Sequence, residues 1–315
     1  MNSSISGSDS SMINRRTLLQ GAGVTLVGMT VFGGVVAAKP TNTTTLIGEG
    51  MNIVGGSDDD VWTAVTMNKA GKPTKLSIWM TKDAFEYLTS RSEGEHFHLD
   101  FPEAPGLNYT FAGIDWNPEG HPPVGIWSVP HFDLHYYFVD EADVDAITAP
   151  GPIPLVGVAT YDIPEEQFPR HYVYEEPRFI VKNMGEHIYN ENTPEFRPGG
   201  EFTHTYIYGV YDPSIDLDDP DGTVDLPIGP DGSTVSVNTY SGDGTGELTF
   251  TEPMVTEEFL RSEQFLKREE VRVPVEMPEV FPEAGYYPTE YVMRYCERDD
   301  AYEISLEGME WFESH

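Results

Sequence analysis

Between Trp116 and Phe138 the chain reads W-N-P-E-G-H-P-P-V-G-I-W-S-V-P-H-F-D-L-H-Y-Y-F, which places His121, His131 and His135 around one aspartate, Asp133. After Pro130 the residues alternate, and an extended chain sends alternate side chains to opposite faces. Phe132, Leu134, Tyr136 and Phe138 then share one face, and His131, Asp133, His135 and Tyr137 the other. An exposed strand ordinarily carries Thr, Lys or Glu on its wet side. Imidazoles and a carboxylate in that position are groups that bind metal or move protons. Strand geometry limits how they cooperate. Same-face neighbours lie roughly 6.6 Å apart at the backbone, so either histidine can share an ion with Asp133, whereas His131 and His135, about 13 Å apart, need a bulge to meet. A helix would suit the i, i+4 pair, but the aromatic density and Pro130 favour a strand.

The site expected from these residues gathers His121, His131, His135 and His187 in one interior pocket, with Asp133 as ligand or orienting partner. The loop bearing His121 would cover the polar face, and the M-G-E-H turn at Met184 to His187 would approach from another hairpin. Ligands of one ion should bring ring nitrogens within about 4 Å of each other. Glu195 follows His187 and could orient it, and His204 is a further donor. Imidazole and carboxylate ligands without thiolate suit zinc, iron or manganese. The same residues could instead make a neutral hydrogen-bonded network that only orders a core. Cys296 is the only cysteine, which excludes an intramolecular disulfide and a cysteine zinc site and leaves it as a small buried residue. His96 and His98, in E-H-F-H-L-D, have Glu103 at a cupin-like distance but lack the cupin glycine pattern, and read as a loop. His171, flanked by aromatic residues, stays outside the site.

The block W-N-P-x-G-H-x-P followed by P-H-F-D-x-H-Y-Y resembles a family of secreted prokaryotic proteins carrying a domain of unknown function, in a haloarchaeal-type form. Further blocks of that pattern are M-G-E-H at 184–187, F-T-H-T-Y-I-Y-G at 202–209, T-F-T-E-P-M at 249–254 and G-Y-Y-P at 285–288. The resemblance spans roughly Val61 to Tyr291. It implies a β-rich secreted domain and leaves ring-like homo-oligomers open; it supplies no activity.

Those side chains need a scaffold, and the composition bounds it. The 315 residues are 39% hydrophobic, enough for a real core in one large domain or two small ones. Acids outnumber bases 53 to 18, giving a formal charge of −35, and they are scattered along the chain rather than gathered in a tail. Such self-repulsion destabilises a compact state in dilute buffer, and counterions at high salt screen it. The acidic surface argues against a nucleic-acid partner.

Residues 1–38 read as a twin-arginine signal peptide: Arg15 and Arg16 in N-R-R-T-L-L, an uncharged apolar run from Leu18 to Ala38, and small residues at its end. Five glycines in that run argue against a buried helix. Export and cleavage would place the chain outside the cell or in its envelope; an uncut run is the only evident membrane attachment. Removing Asp9, Arg15 and Arg16 leaves 52 acids against 16 bases.

Residues 39–60 read as a linker, 61–291 as the β-rich domain with an acidic insertion at 212–246, and 292–315 as an acidic C-terminal tail whose Trp311 and Phe312 could dock. Within the domain, Val61–Met67 and Lys75–Met80 form a hairpin pattern, and Thr81 caps a short helix to Arg91. Leu155 to Tyr161 and Phe202 to Tyr211 read as strands, and Thr256 caps a helix to about Arg268. The insertion lacks an EF-hand's ligands, since Leu217 and Ile228 occupy positions that require acids. No P-loop, dinucleotide fingerprint or nucleophile elbow occurs. The pattern predicts a mainly β fold: a single antiparallel β sandwich or barrel with two or three peripheral helices, the strand at His131–Phe138 being central. Two functions remain open: a protein of the cell exterior with a His/Asp metal pocket, or a non-catalytic envelope protein that binds a small ligand or self-assembles.

Overall fold

A computed structural model describes residues 43–148, 155–174, 178–227, 234–243 and 246–314. The twin-arginine segment lies outside the described residues. The fold is mainly β and sandwich-like, and neither large sheet closes into a barrel. Strands are numbered along the chain. The first sheet has six, in the order β1 (Thr44–Met51), β2 (Val61–Met67), β3 (Pro73–Thr81), β18 (Ala301–Glu307), β17 (Glu290–Cys296) and β15 (Val271–Pro274). The second has seven: β4 (Glu95–Asp100), β5 (Phe111–Asn117), β6 (His131–Tyr137), β14 (Glu247–Thr256), β11 (His204–Tyr211), β10 (Glu186–Asn190) and β8 (Tyr172–Tyr174). A smaller sheet joins β12 (Gly222–Pro227), β13 (Thr234–Ser241), β7 (Leu155–Thr160) and β9 (Phe179–Val181), and β16 (Gly285–Tyr287) pairs with β19 (Glu310–Phe312).

The two large sheets face each other across one apolar core. Leu76, Ile78 and Ile304 come from the first, and Ile114, Phe132, Leu134 and Tyr136 from the second. The Tyr136 hydroxyl donates to the Ile304 carbonyl at 2.7 Å, tying the facing sheets where an unpaired phenol would be costly. Helix α1 (Lys82–Thr89) forms as its sequence requires: the Thr81 hydroxyl accepts from the Ala84 amide, and Phe85 and Leu88 are buried. Phe85 then packs on Phe132 and Tyr302, joining both sheets.

Strand β6 is interior, flanked by β5 and β14, as its alternation predicts. Other expectations are corrected. Thr44–Met51, read as linker, is the edge strand β1. The acidic tail is not a tail: β18 sits between β3 and β17 in the middle of the six-stranded sheet, and β19 pairs with β16. His96 and His98 lie on β4 rather than in a loop. The helix expected over 256–268 breaks at Ser262, whose extended backbone and hydroxyl cap start a second helix. The short helices among the described residues are therefore α1, α2 (Glu141–Ala146), α3 (Glu257–Arg261) and α4 (Glu263–Leu266), one more than expected. Within the insertion β12 and β13 pair antiparallel, and β13 runs parallel to β7, a departure from the antiparallel pairing of the other strands among the described residues. Cys296 is half-buried.

Candidate metal centre

With Phe132, Leu134 and Tyr136 committed to the inter-sheet core, His131, Asp133 and His135 look out of the other face of the seven-stranded sheet. That face is not wet. Two small apolar clusters close it: Phe111, Tyr137, Val144 and Phe250 in one, and Trp127, Ile207 and Met254 with partly buried Tyr189, Phe196 and Phe202 in the other. Consequently His131 and His135 are 0% exposed, Asp133 4% and Glu252 1%. Buried groups of this kind must be paired or coordinated.

The structure sorts them into two sets, His121–His131–Asp133 and His135–His187–Glu252, within each of which the three donor atoms lie within 4.8 Å of one another. The expectation of one four-histidine pocket is thereby corrected. Strand β6 pairs with β5 without interruption from Phe111↔Tyr137 to Asn117↔His131, so no bulge brings His131 to His135. Each histidine finds its own partners.

In the first set, His131 Nδ1 donates to the Val129 carbonyl at 2.6 Å and His121 Nδ1 donates to the Pro122 carbonyl at 2.7 Å. A carbonyl only accepts, so both Nδ1 atoms carry the proton, and in the neutral rings both Nε2 atoms present lone pairs. Those Nε2 atoms stand 3.0 Å (His131) and 3.1 Å (His121) from the Asp133 carboxylate, which also accepts from the Asn117 amide at 2.7 Å. Lone pairs facing a carboxylate require a cation, either a proton or a metal ion. Burial opposes a charged His121, yet the charge and hydrogen bond of Asp133 and the Pro122 carbonyl push its pKa up to about 9. Burial likewise opposes a charged Asp133, but His131 and His121 hold it well below the usual carboxylate range.

In the second set, His135 Nε2 lies 3.3 Å and His187 Nε2 3.7 Å from the same Glu252 oxygen. His135 Nδ1 lies 3.2 Å from Asp115, which is bound on its other oxygen by His96 Nδ1 at 2.6 Å. Asp115 thus orients the His135 ring and leaves Nε2 for Glu252 and an ion, the arrangement that buttresses metal-bound histidines. Burial, reinforced by Asp133 and Asp115, raises Glu252 well above the carboxylate range, and burial with the neighbouring His135 and His121 drives His187 down to about 3. Glycine makes the packing possible. A Cβ on Gly113 would come within 3.3 Å of the His135 Cβ and 3.1 Å of the Tyr137 ring.

All five residues expected at the site are in these sets. The sequence reading missed Glu252, Asp115 and His96. Asp115 was visible as the one acid of β5, whereas Glu252 shares its strand with Glu247 and three threonines and did not stand out. Glu195, expected to orient His187, is buried and belongs to neither set. His98 pairs with Glu141 at 2.5 Å, and His171 is exposed with a positive φ of 68°.

His204 belongs elsewhere. Its Nδ1 lies 2.7 Å from the Tyr291 hydroxyl, and its ring packs on Phe259. Burial pushes its pKa down to about 4. A histidine depressed in the folded state is neutral there while its unfolded counterpart protonates, so stability is full above about pH 6.5 and falls as pH drops toward 4. The loss is expected to reach at most about 3 kcal/mol, reduced by the ring's partial exposure. In denaturant titrations across that window, His204→Phe should flatten this part of the acid limb; an unchanged slope would show that His204 is not its source.

Among the described residues no helix is long and apolar enough to cross a membrane. No family model, curated protein or solved structure matches the chain.

Proposed function

We propose that this is an exported, salt-adapted metalloprotein that holds divalent ions, zinc, iron or manganese, in the two His/His/carboxylate sets. One observation carries the reading: the Nδ1 atoms of His121 and His131 are both tied to backbone carbonyls, so both Nε2 lone pairs aim at one buried carboxylate. That tautomer is the one a metal needs, fixed in advance. Two imidazoles and one carboxylate match the ligands of hydrolytic zinc and of non-haem iron, and leave coordination positions open for a small molecule. All six donors also fall in the sequence blocks W-N-P-E-G-H, P-H-F-D-L-H, M-G-E-H and T-F-T-E-P-M that carry the resemblance to secreted proteins. The twin-arginine route carries folded chains, so the ions can be loaded before export.

The proton-bound alternative, a non-catalytic envelope protein whose histidine network orders the sheet, is favoured by the high proton affinity of His121. Metal analysis of protein purified without a histidine tag separates the two. About two equivalents of divalent metal per chain are expected, because each set supplies three ligands. Chains that contain no metal and take up none after dialysis against zinc or manganese would refute the metalloprotein reading and leave the envelope protein.

A further inference from the structure

The two sets lie side by side. Asp133 and His135 are consecutive same-face residues of β6, one strand step of roughly 6.6 Å apart, and Asp115 is the direct cross-strand partner of Asp133 while orienting His135 of the other set. The ligands that retain exposure are His121, at 32%, and His187, at 22%. His121 arrives from the loop between β5 and β6, and His187 from β10 of the same sheet rather than from a turn of another hairpin, so both sets would hold their ions on the covered outer face of the sheet. Beside His121 is Trp127, its ring centroid 5.8 Å away and the residue 3% exposed. Its indole N–H is buried without an acceptor, which a folded protein ordinarily avoids.

Charge then selects the ligand. Two divalent ions bring four positive charges, and the coordinating carboxylates, Asp133 and Glu252, return two. Asp115 is matched by His96. A surplus of two positive charges in a buried setting needs a dianion, because the ions dominate the local field.

We infer, resting on the metalloprotein reading, that the paired centre binds a tetrahedral oxyanion of charge −2, inorganic phosphate or a phosphate monoester, whose charge the two ions would match and which would accept from the Trp127 indole. A monoanionic carboxylate leaves one charge unmatched. Without the ions the surplus of two positive charges is gone, so binding is strictly metal-dependent.

The experiment uses the full exported chain in concentrated KCl, loaded with cobalt(II) as a spectroscopic probe, cleared of free metal, and counted for bound ions. Binding of inorganic phosphate and methyl phosphate above pH 7.5 is read by equilibrium dialysis and by the cobalt absorption. The two-ion protein should bind phosphate, the metal-free protein should not, and excess acetate should fail to displace it. His187→Gln, which keeps one ion, should bind about tenfold more weakly, the weight of one charge-assisted contact. Trp127→Phe should retain both ions and bind several-fold more weakly. A cobalt count of zero sinks the metalloprotein reading itself. Two bound ions with no phosphate binding, with equal binding by the one-ion variant, or with displacement by acetate overturn the oxyanion inference alone.

Discussion

Replacing Asp133 by alanine is expected to remove one of the two bound ions and to cost about 3–5 kcal/mol of stability, the usual loss when one member of a buried charged set is deleted. Asp133 is the common partner of His121 and His131 and also accepts from Asn117, so the variant strips three buried or half-buried groups of their acceptor. Two measurements make the result diagnostic. Metal content should fall from two equivalents to about one, with the His135–His187–Glu252 set still filled. Chelation should then narrow the stability gap between wild type and variant, because the wild type loses the ion that Asp133 holds. If the set is held by protons alone, the gap will be the same with and without chelator and the metal content will not change. Retention of both ions in Asp133→Ala would remove Asp133 from the ligands.

The parts of this centre that were legible were those fixed within one strand. The alternation from His131 to Phe138 put two chemically different faces on one element, and only one assignment buries Phe132, Leu134 and Tyr136 together. Caps were legible for the same reason, since Thr81 and Thr256 act on amides three residues ahead. Pairing between strands was not. Which carboxylate meets His135 depends on β14 lying next to β6, and nothing near Glu252 in T-F-T-E-P-M announces that neighbour. Acidity and glycine also misled. β1 reads as linker because Gly48 and Gly50 interrupt it. Yet a Cβ on Gly48 would stand 2.7 Å from the Asp100 carbonyl, so glycine there permits β4 to approach. β18 looks like an acidic tail, but Glu303 is matched by Arg294 and Lys75, and Glu307 by Arg272 and Arg294. Its carboxylates are structural once paired.

Moving the protein from about 2 M KCl to dilute buffer is expected to unfold it or to lower its melting temperature by more than about 10 °C, which for a domain of this size corresponds to several kcal/mol. The argument weighs two opposed effects of salt. Salt weakens ion pairs, and this chain concentrates its bases in them: Arg261 with Glu86 and Glu257, Arg272 with Glu270, Glu290 and Glu307, Arg294 with Glu270, Glu303 and Glu307. The exposed pairs are worth roughly 0–1 kcal/mol each, and those of Arg294 with the buried Glu303 and largely covered Glu307 are screened less by salt, so the loss is small. Against that stand 53 acids and only 18 bases, most of the excess without a counterpart. Asp216, Asp218, Asp219, Asp221 and Asp225 follow one another within ten residues of the insertion, largely exposed. The range of their repulsion is set by the Debye length, about 30 Å at 0.01 M and about 3 Å at 1 M. In dilute buffer every acid on this molecule therefore feels many others; in concentrated salt it feels almost none. Repulsion wins, and stability rises with salt. Calorimetric scans of metal-loaded protein at low and high KCl measure it, and equal midpoints would mean that the acidic surface was never what salt stabilises.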